Sequence, residues 1–573
     1  MRQMKPDPTN LEFDVVVAGS GSAGMTAAIV AALHGLSVIL VEKTAYFGGT
    51  TAWSGGGCWV PCNPMIAKVG LSDSREAAVA YADAVIGKFL RRDLYETFLD
   101  ESPRMLDFML KRTKVLFMPR TPAPDYQMHQ PGALIGGRSL GSVPYDGREL
   151  GEHLQALRPP LAEFNAPWGM MMSPLDVMHA MKAFSSRASF WYMTKLFARY
   201  FVDRLRYGRG TRLTMGSALA GRLLRSALDA GVTLWTRTEA KRLVRDGARV
   251  TGLVVVKDGR ELTLTARKGV VLACGGFSSS EAHRKQFYPN AGHHMTLVAE
   301  GNTGDGQRMV AEIGGTFQEA NAHNGVWQVV STHRHKDGSV QRVPHFFNDL
   351  PKPGCIAVNA KGERFGNEAN LELAGAMNAT GAVPAWLIAD HAFMTKYGMG
   401  LVYPFGIRLR RFVREGYVQR GRTLVELANA IGVDAGGLER TVARVNEFAR
   451  TGVDTDFGKG SQPLDQAQGD PSHQPNPCLG PIATAPFYAV RIVPGDVASV
   501  RGLRVNRVAQ PLDAQDRPLE GLHVCGLDMN SLWAGTGFAN GAFHAQNMTF
   551  GYIIGRHLSA VAPAKVAAGE RAA

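Results

Sequence analysis

No stretch of the 573-residue sequence approaches the roughly 18 uninterrupted apolar residues that a membrane-spanning helix requires. The first ten residues, MRQMKPDPTN, hold no apolar segment, so a cytoplasmic protein without a secretory leader is expected. Cysteine is scarce: of six, only Cys58 and Cys62 lie near one another, and two thiols make no zinc site. Reduced, structural cysteines and no metal are expected. No nucleic-acid-binding module accompanies the formal net charge of +13, which removes nucleic acid as a partner. The basic residues cluster instead in residues 199–212 (RYFVDRLRYGRGTR) and 408–414 (RLRRFVR), the first after an aromatic run, FWYMTKLFARY. Aromatics beside basic residues suit a peripheral membrane contact and equally a solvated helix face over a buried apolar side. What the chain has is glycine, 65 residues in no low-complexity run, and 45% apolar content, enough for two or three domains.

The chain is organised around residues 14–24, DVVVAGSGSAG. Residues 15–18 are apolar and rich in β-branched side chains, which reads as a buried parallel strand. Gly19, Gly21 and Gly24 follow, then an Ala-rich helical stretch ending at Gly35, a second strand over 36–41, and Glu42. Each glycine has a physical use. Gly19 permits the tight turn, Gly21 lets a pyrophosphate approach the backbone, and Gly24 lets the helix pack on the strand. Ser22 and Ala23 open the helix, whose N-terminal N–H groups and dipole favour phosphate. Glu42 is placed to accept from ribose hydroxyls. No second strand–GxGxxG unit follows, which disfavours a nicotinamide partner.

After Lys43 comes YFGGTTAWSGGG, with Gly48, Gly49, Thr50, Thr51, Ser54, Gly55, Gly56 and Gly57. Hydroxyls on bare backbone suit contact with a flat ring system. This loop resembles the flavin loop of the fumarate reductase and 3-ketosteroid dehydrogenase flavoprotein superfamily. The resemblance continues through GVVLACGGF (Ala273, Gly275, Gly276), GERFGNE at 362–368, GLHVCGLD (Gly526, Asp528) and AGTGFANGAF (Gly541, Ala542), spanning about residues 12–558. It implies FAD, held noncovalently because the loop carries no histidine. It also implies an α/β fold: a Rossmann-like FAD-binding domain with an inserted α+β substrate-capping domain. The expected division is 11–320 and 489–558 for the FAD-binding domain, with a helical insertion over about 70–215. The cap would take 321–488, and 559–573 would form a disordered tail. Residues 73–112 read as helical, 121–137 as a Pro/Gly loop, and 232–236, 240–244, 249–257 and 261–266 as a small antiparallel sheet, with 269–277 a further strand.

Desaturating a ketone requires a donor for the carbonyl oxygen, a base for the α proton, and an acceptor for the β hydride. The resemblance implies FAD as hydride acceptor, a small hydrophobic cyclic ketone as substrate, either a ketosteroid or a cyclohexanone-like compound, and an external electron acceptor. Tyr126 resembles the loop tyrosine that family members deliver to the active site. The family's proton-carrying position, an arginine or a tyrosine, is here Glu372. A carboxylate can take an α proton, the more so where burial raises its pKa. Gly541 matches the glycine that helps hold the carbonyl, but the accompanying tyrosine falls on Gly537, beside Phe538. The PGD-following motif is also changed, to residues 498–502 (ASVRG). Phe538 and His544 are therefore substrate-pocket candidates, and His345, Arg334 and His323 are further polar candidates for the lost hydroxyl. The alternatives are a reductase of an activated double bond and a flavin-loaded electron carrier.

Overall fold

The computed structural model describes residues 11–161, 169–183, 185–346 and 349–561. The strand Glu12–Ala18 lies at the centre of a seven-stranded sheet. It pairs parallel with Val38–Val41 on one side, Val16 opposite Ile39, and with Arg260–Leu272 on the other, Val16 opposite Val270. Residues Val15, Val16 and Val17 are wholly buried, which explains an apolar run rather than an alternating one. Leu522–Val524 adds parallel to Arg260–Leu272.

Two sequence expectations change here. The segments 261–266 and 269–277 form one 13-residue strand, Arg260–Leu272, without a break at Lys268. Its first half pairs antiparallel with Arg249–Lys257 and its second half parallel with Glu12–Ala18, so the antiparallel strands extend the main sheet. Residues 232–236 give Thr233–Trp235, which pairs parallel with Val38–Val41 at the other edge. In both cases β-branched composition identifies a strand but carries no information about its partner.

The helix Ser22–Leu33 packs against Ala542–Ala560. They approach so closely that a Cβ on Gly551 would stand 2.6 Å from Ala23 O, and one on Gly555 would stand 2.6 Å from Val30 Cβ. Thus the C-terminal helix is clamped onto the first βαβ unit, and it runs to Ala560, past the residue where a tail was expected. Residues 562–573, the rest of that tail, lie outside the described residues.

A second seven-stranded sheet has Phe487–Ser499 at its heart, paired antiparallel with Gly325–Arg334, Ala385–Ala389 and Val418–Gly421. That central strand runs through residue 488, and Met295–Thr296 also joins it, so the cap sheet reaches beyond 321–488 at both ends. Residues 73–112 form two helices, Arg75–Ile86 and Arg92–Arg112. The insertion continues with Pro174–Met181, Arg187–Tyr207 and Met215–Asp229. Among the described residues no helix is long and apolar enough to cross a membrane.

Candidate active site

A cleft opens at the carboxyl ends of the parallel strands, lined by Gly19, Gly21, Ser22, Ala23, Glu42, Lys43, Gly49, Thr50, Thr51, Ala273, Gly275 and Gly526 among others. Gly19 has φ +105°, and a Cβ there would lie 2.1 Å from Ala273 O, so both conformation and packing demand glycine. Gly21 differs: its Cβ would meet only Thr51 Oγ1, at 3.7 Å. Nothing in the protein fills that space. The carbonyl-side oxygen of Asn547, Oδ1, also at the cleft, is buried without a partner. An open glycine cradle at a helix N-terminus fits a pyrophosphate, and the unpaired amide oxygen calls for a donor such as a cofactor hydroxyl or N–H.

Glu42 is buried and accepts from four protein donors: Ser20 N (3.2 Å) and Oγ (2.5 Å) at Oε2, and Thr44 N and Oγ1 (both 2.9 Å) at Oε1. A carboxylate has about four acceptor positions, so ribose hydroxyls reach Glu42 only by displacing Ser20 or Thr44. Lys43 Nζ is held by Thr303 Oγ1 and Asp305 Oδ2, each at 2.8 Å. Thr51 Oγ1 accepts from Ser22 N at 2.9 Å, and Thr50 Oγ1 from Ala299 N at 3.0 Å, which docks the glycine loop onto the helix start. The sequence reasoning missed several lining residues: Ser20, Thr44, Arg158, Asn302, Asp305 and Asn547. Of these, Asn302 and Asp305 lie in GNTGDG, residues 301–306, at the start of the helix Asp305–Ala311.

Other expected cofactor residues stand outside the lining of this cleft. A Cβ on Gly24 would lie 2.0 Å from Gly19 O; one on Gly56 would meet Met215, and one on Gly48 would meet Ala220. Gly55 is exposed, Gly57 is paired opposite Gly141, and Gly276 packs against Ser499 and Leu527. Ser54 Oγ binds His544 Nε2 at 2.8 Å, while Ser22 Oγ holds His544 Nδ1 at 3.0 Å. His544 thus bridges the start of the helix Ser22–Leu33 and the glycine loop, and burial pushes its pKa down to about 4. Asp528 is fully buried and accepts from the N–H groups of Cys274 and Gly276; burial raises its pKa to about 6. Ala542 is buried in the core.

At the carbonyl end, Gly541 caps the C-terminal helix with φ +88°, and its carbonyl accepts from Trp59 N at 3.1 Å. Its own N–H has no hydrogen-bond partner among the described residues. Phe538 proves to be core: it stacks on Trp533 at 4.5 Å and meets Tyr81 at 4.8 Å and Trp59 at 5.0 Å. Its carbonyl accepts from Tyr81 Oη at 2.6 Å and Tyr126 N at 3.1 Å, which anchors the 121–137 loop. That loop brings Gln127, not Tyr126, to Glu372: Gln127 Nε2 donates to Glu372 Oε1 at 2.9 Å. Tyr126 is half-buried, and desolvation lifts its hydroxyl pKa above the usual range. Glu372 precedes the helix Leu373–Thr380 without a side-chain capping bond and is exposed. Its Oε1 lies 3.4 Å from where a Cβ on Gly537 would stand. Two of the positions where this sequence departs from the ketosteroid pattern, Glu372 and Gly537, therefore face each other.

His323 lies near Glu372, whose charge partly offsets the desolvation that lowers the histidine's pKa. The other polar candidates are elsewhere. His345 is fully buried in the cap between Asp349 Oδ2 (2.6 Å) and Ser331 Oγ (2.7 Å), and Arg334 lies exposed on a hairpin, donating to Gly338 O. Arg501, in the altered 498–502 segment, is spent on Glu319 and the ring of Phe317. The loop before Glu372 is fixed by a buried ion network: Arg364 binds Glu368 (2.8 Å) and Asp454 (2.9 Å), and Lys459 approaches Glu368 at 3.5 Å.

Doubly wound sheet, glycine cradle and facing glycine loop define a dinucleotide-binding oxidoreductase. Residues 14–542 match the FAD binding domain family, and the chain belongs to it. It is 37% identical over 561 residues to 4-oxocyclohex-2-ene-1-carboxylate 5-dehydrogenase of Sinomonas cyclohexanicum, covering 96% of this chain and 94% of the relative. It is 33% identical to 3-oxosteroid 1-dehydrogenase of Mycobacterium tuberculosis, over 96% of this chain and 98% of the relative. Among solved structures, 3-ketosteroid Δ1-dehydrogenase of Sterolibacterium denitrificans, in complex with 1,4-androstadiene-3,17-dione, superposes with a TM-score of 0.87 at 34% identity. That match covers 96% of this chain and all of that one. The chain is an FAD-dependent oxidoreductase whose relatives are named as dehydrogenases of cyclic ketones.

Proposed function

We propose that the protein desaturates a cyclic ketone beside its carbonyl, with Glu372 as the base. The observation that carries this is the meeting of Glu372 Oε1, Gln127 Nε2 and the side-chain-free Gly537 in one place. Gly537 leaves room for a carbonyl-bearing ring where a tyrosine would otherwise stand. The N–H of Gly541 and the second N–H of Gln127 hold the ketone oxygen, which acidifies the α C–H. Glu372 takes the α proton, and because it is exposed the proton passes on to solvent. FAD, held noncovalently in this reading, would supply the acceptor for the β hydride, with an external acceptor taking the electrons onward. Gly19, Gly21, Ser22, Ala23, Lys43, Gly49, Thr50, Thr51, Ala273, Gly275 and Gly526 would hold the cofactor. His544 and Asp528 support that site from behind.

A second observation bears on substrate. Arg120 is half-buried and follows Phe117–Pro119; its Cδ lies 2.9 Å from the Cβ position of Gly141, opposite Gly57. Its charge reaches the Tyr126 hydroxyl, where it works against the desolvation that raises that group's pKa. A ring ketone bearing a carboxylate would find its counter-charge there, which favours an oxocyclohexanecarboxylate over a steroid. The test is anaerobic: the oxidised protein is mixed in turn with androst-4-ene-3,17-dione, 4-oxocyclohexanecarboxylate and cyclohexanone, and the flavin absorbance is followed. Bleaching by the carboxylate, lost in Arg120→Ala, is expected. Bleaching by the steroid alone would overturn the substrate reading. Bleaching by none, with reduced protein reoxidised by an enone, would turn the direction to reduction.

A further inference from the structure

The groups assigned to the carbonyl and the α proton stand apart from those assigned to the cofactor. Gln127, Glu372, Gly537 and Gly541 are not among the residues that line the nucleotide cleft. They are fixed by bonds within the protein. Gln127 N donates to Tyr81 Oη at 3.2 Å, and Glu372 N donates to Asn370 Oδ1 at 2.8 Å. The segment that carries Gly537 and Gly541 is held by Thr536 N on Trp533 O at 2.9 Å and by Ser139 Oγ on Asn540 O at 2.8 Å. The proton-handling half is thus assembled without a nucleotide. Within it the carboxylate is tethered at one end only. Glu372 Oε1 accepts from Gln127 Nε2 at 2.9 Å, while Oε2 has no partner among the described residues. The space over Gly537 is bounded by these two side chains: a Cβ there would stand 3.4 Å from Glu372 Oε1 and 3.6 Å from Gln127 Nε2.

A carboxylate beside N–H donors for a carbonyl oxygen is enough to form an enolate; a hydride acceptor matters only afterwards. We propose that these residues also isomerise a β,γ-unsaturated cyclic ketone to its α,β-enone, a proton transfer with no net oxidation. The inference rests on the role of Glu372 as base. Glu372 takes the proton from the α carbon. The electron pair of that C–H bond forms a double bond to the carbonyl carbon, and the carbonyl π pair moves onto the oxygen, held by Gly541 N–H and Gln127 Nε2. In the second step the oxygen pair restores the carbonyl and the new double bond shifts to the α,β position. The old alkene pair then takes the proton back from Glu372 at the γ carbon. Every atom of the substrate is retained. The α and γ carbons lie on one edge of a single ring, so one carboxylate serves both, and its free Oε2 lets it turn about the Gln127 bond.

The test uses the FAD-loaded protein, anaerobic and without an external acceptor. It is incubated with a large excess of cyclohex-3-en-1-one and, separately, of 4-oxocyclohex-1-ene-1-carboxylate, and the products are followed by proton NMR. Without an acceptor each protein can complete at most one oxidation, so α,β-enone formed in large excess over protein comes from proton transfer. Conversion of at least one probe, about 100-fold or more faster than in protein-free buffer, is expected. Glu372→Gln should lose that conversion while keeping wild-type FAD content. Ketone-driven flavin bleaching that depends on Glu372, with neither probe isomerised, would overturn this inference and leave the dehydrogenase reading standing. Isomerisation at the wild-type rate in Glu372→Gln would also overturn it. Bleaching at the wild-type rate in Glu372→Gln would overturn the base assignment itself, and this inference with it.

Discussion

Two buried carboxylates, one in each sheet region, are handled in opposite ways. Glu368 in the cap has Arg364 and Lys459 beside it, and these cations and an Ala357 N–H hold its pKa below the ordinary carboxylate range against the desolvation that raises it. Asp528, behind the nucleotide cleft, has two backbone N–H groups but no cation, and burial raises its pKa to about 6. The difference follows from what each must do. The cap has to fix a loop, residues 364–372, that delivers Glu372, so its charges are paired and its donors used. The cleft has to receive a ligand, so Gly21 is left open and Asn547 Oδ1 unsatisfied. One region is complete without a partner, and the other is built around one.

The sharpest way to break this contrast is Glu368→Gln, which leaves Arg364 and Lys459 facing a neutral partner. A loss of about 3–5 kcal/mol in unfolding free energy is expected, read by denaturant unfolding. A loss near zero would mean that the network does not hold the loop. Next come the paired substitutions Gly19→Ala and Gly21→Ala. The first forces a Cβ to 2.1 Å from Ala273 O at φ +105° and should cost at least about 2 kcal/mol in the FAD-free protein. The second has protein-side room, so the FAD-free protein should melt as wild type while FAD affinity, measured by fluorescence titration, falls about tenfold or more. Equal melting losses in the two variants would refute the distinction.

The pH dependence separates the two carboxylates by sign. For Glu368 the folded pKa is lowered, so its contribution is fully present above the unfolded value of about 4.3 and is lost as pH falls through the folded pKa. For Asp528 the folded pKa is raised, so the folded state retains its proton up to about pH 6, and stability falls as pH rises from about 4 to about 6. That fall is on the order of 2–3 kcal/mol. Stability-versus-pH curves of FAD-free wild type and Asp528→Asn should differ in slope between about pH 4 and 6 and run parallel outside that window; parallel curves throughout would contradict the assignment. The smallest effect expected is at Gln127→Leu, which removes the donor to Glu372 and one of the two donors to the ketone oxygen and should slow ketone-driven flavin reduction by about tenfold.

The same contrast explains how much could be read from sequence. Residues 14–42 are governed by local rules: apolar period, glycine spacing, helix start, terminal acid. All of these survive in the structure, as do the FAD-binding fold and its cap. Partnering is not local. Nothing in residues 260–272 announces that one strand serves both an antiparallel and a parallel neighbour. In the 121–137 loop no period tells which of Tyr126 and Gln127 turns inward, and the family resemblance points to the tyrosine alone. The register is set by distant bonds, Tyr81 Oη and Tyr126 N to the carbonyl of Phe538. Phe538 and His544 look available in the sequence because each sits beside a glycine or a hydroxyl-rich loop. In space, an aromatic cluster takes the first and two serines take the second.

The central claim is that Glu372, held by Gln127 and facing Gly537, removes the α proton. The direct measurement is stopped-flow reduction of the bound flavin by the ketone in wild type and Glu372→Gln under anaerobic conditions. With the base gone, the rate should fall by about 100-fold or more while FAD content and ketone binding stay unchanged. An unchanged rate in Glu372→Gln would show that the proton leaves by another group.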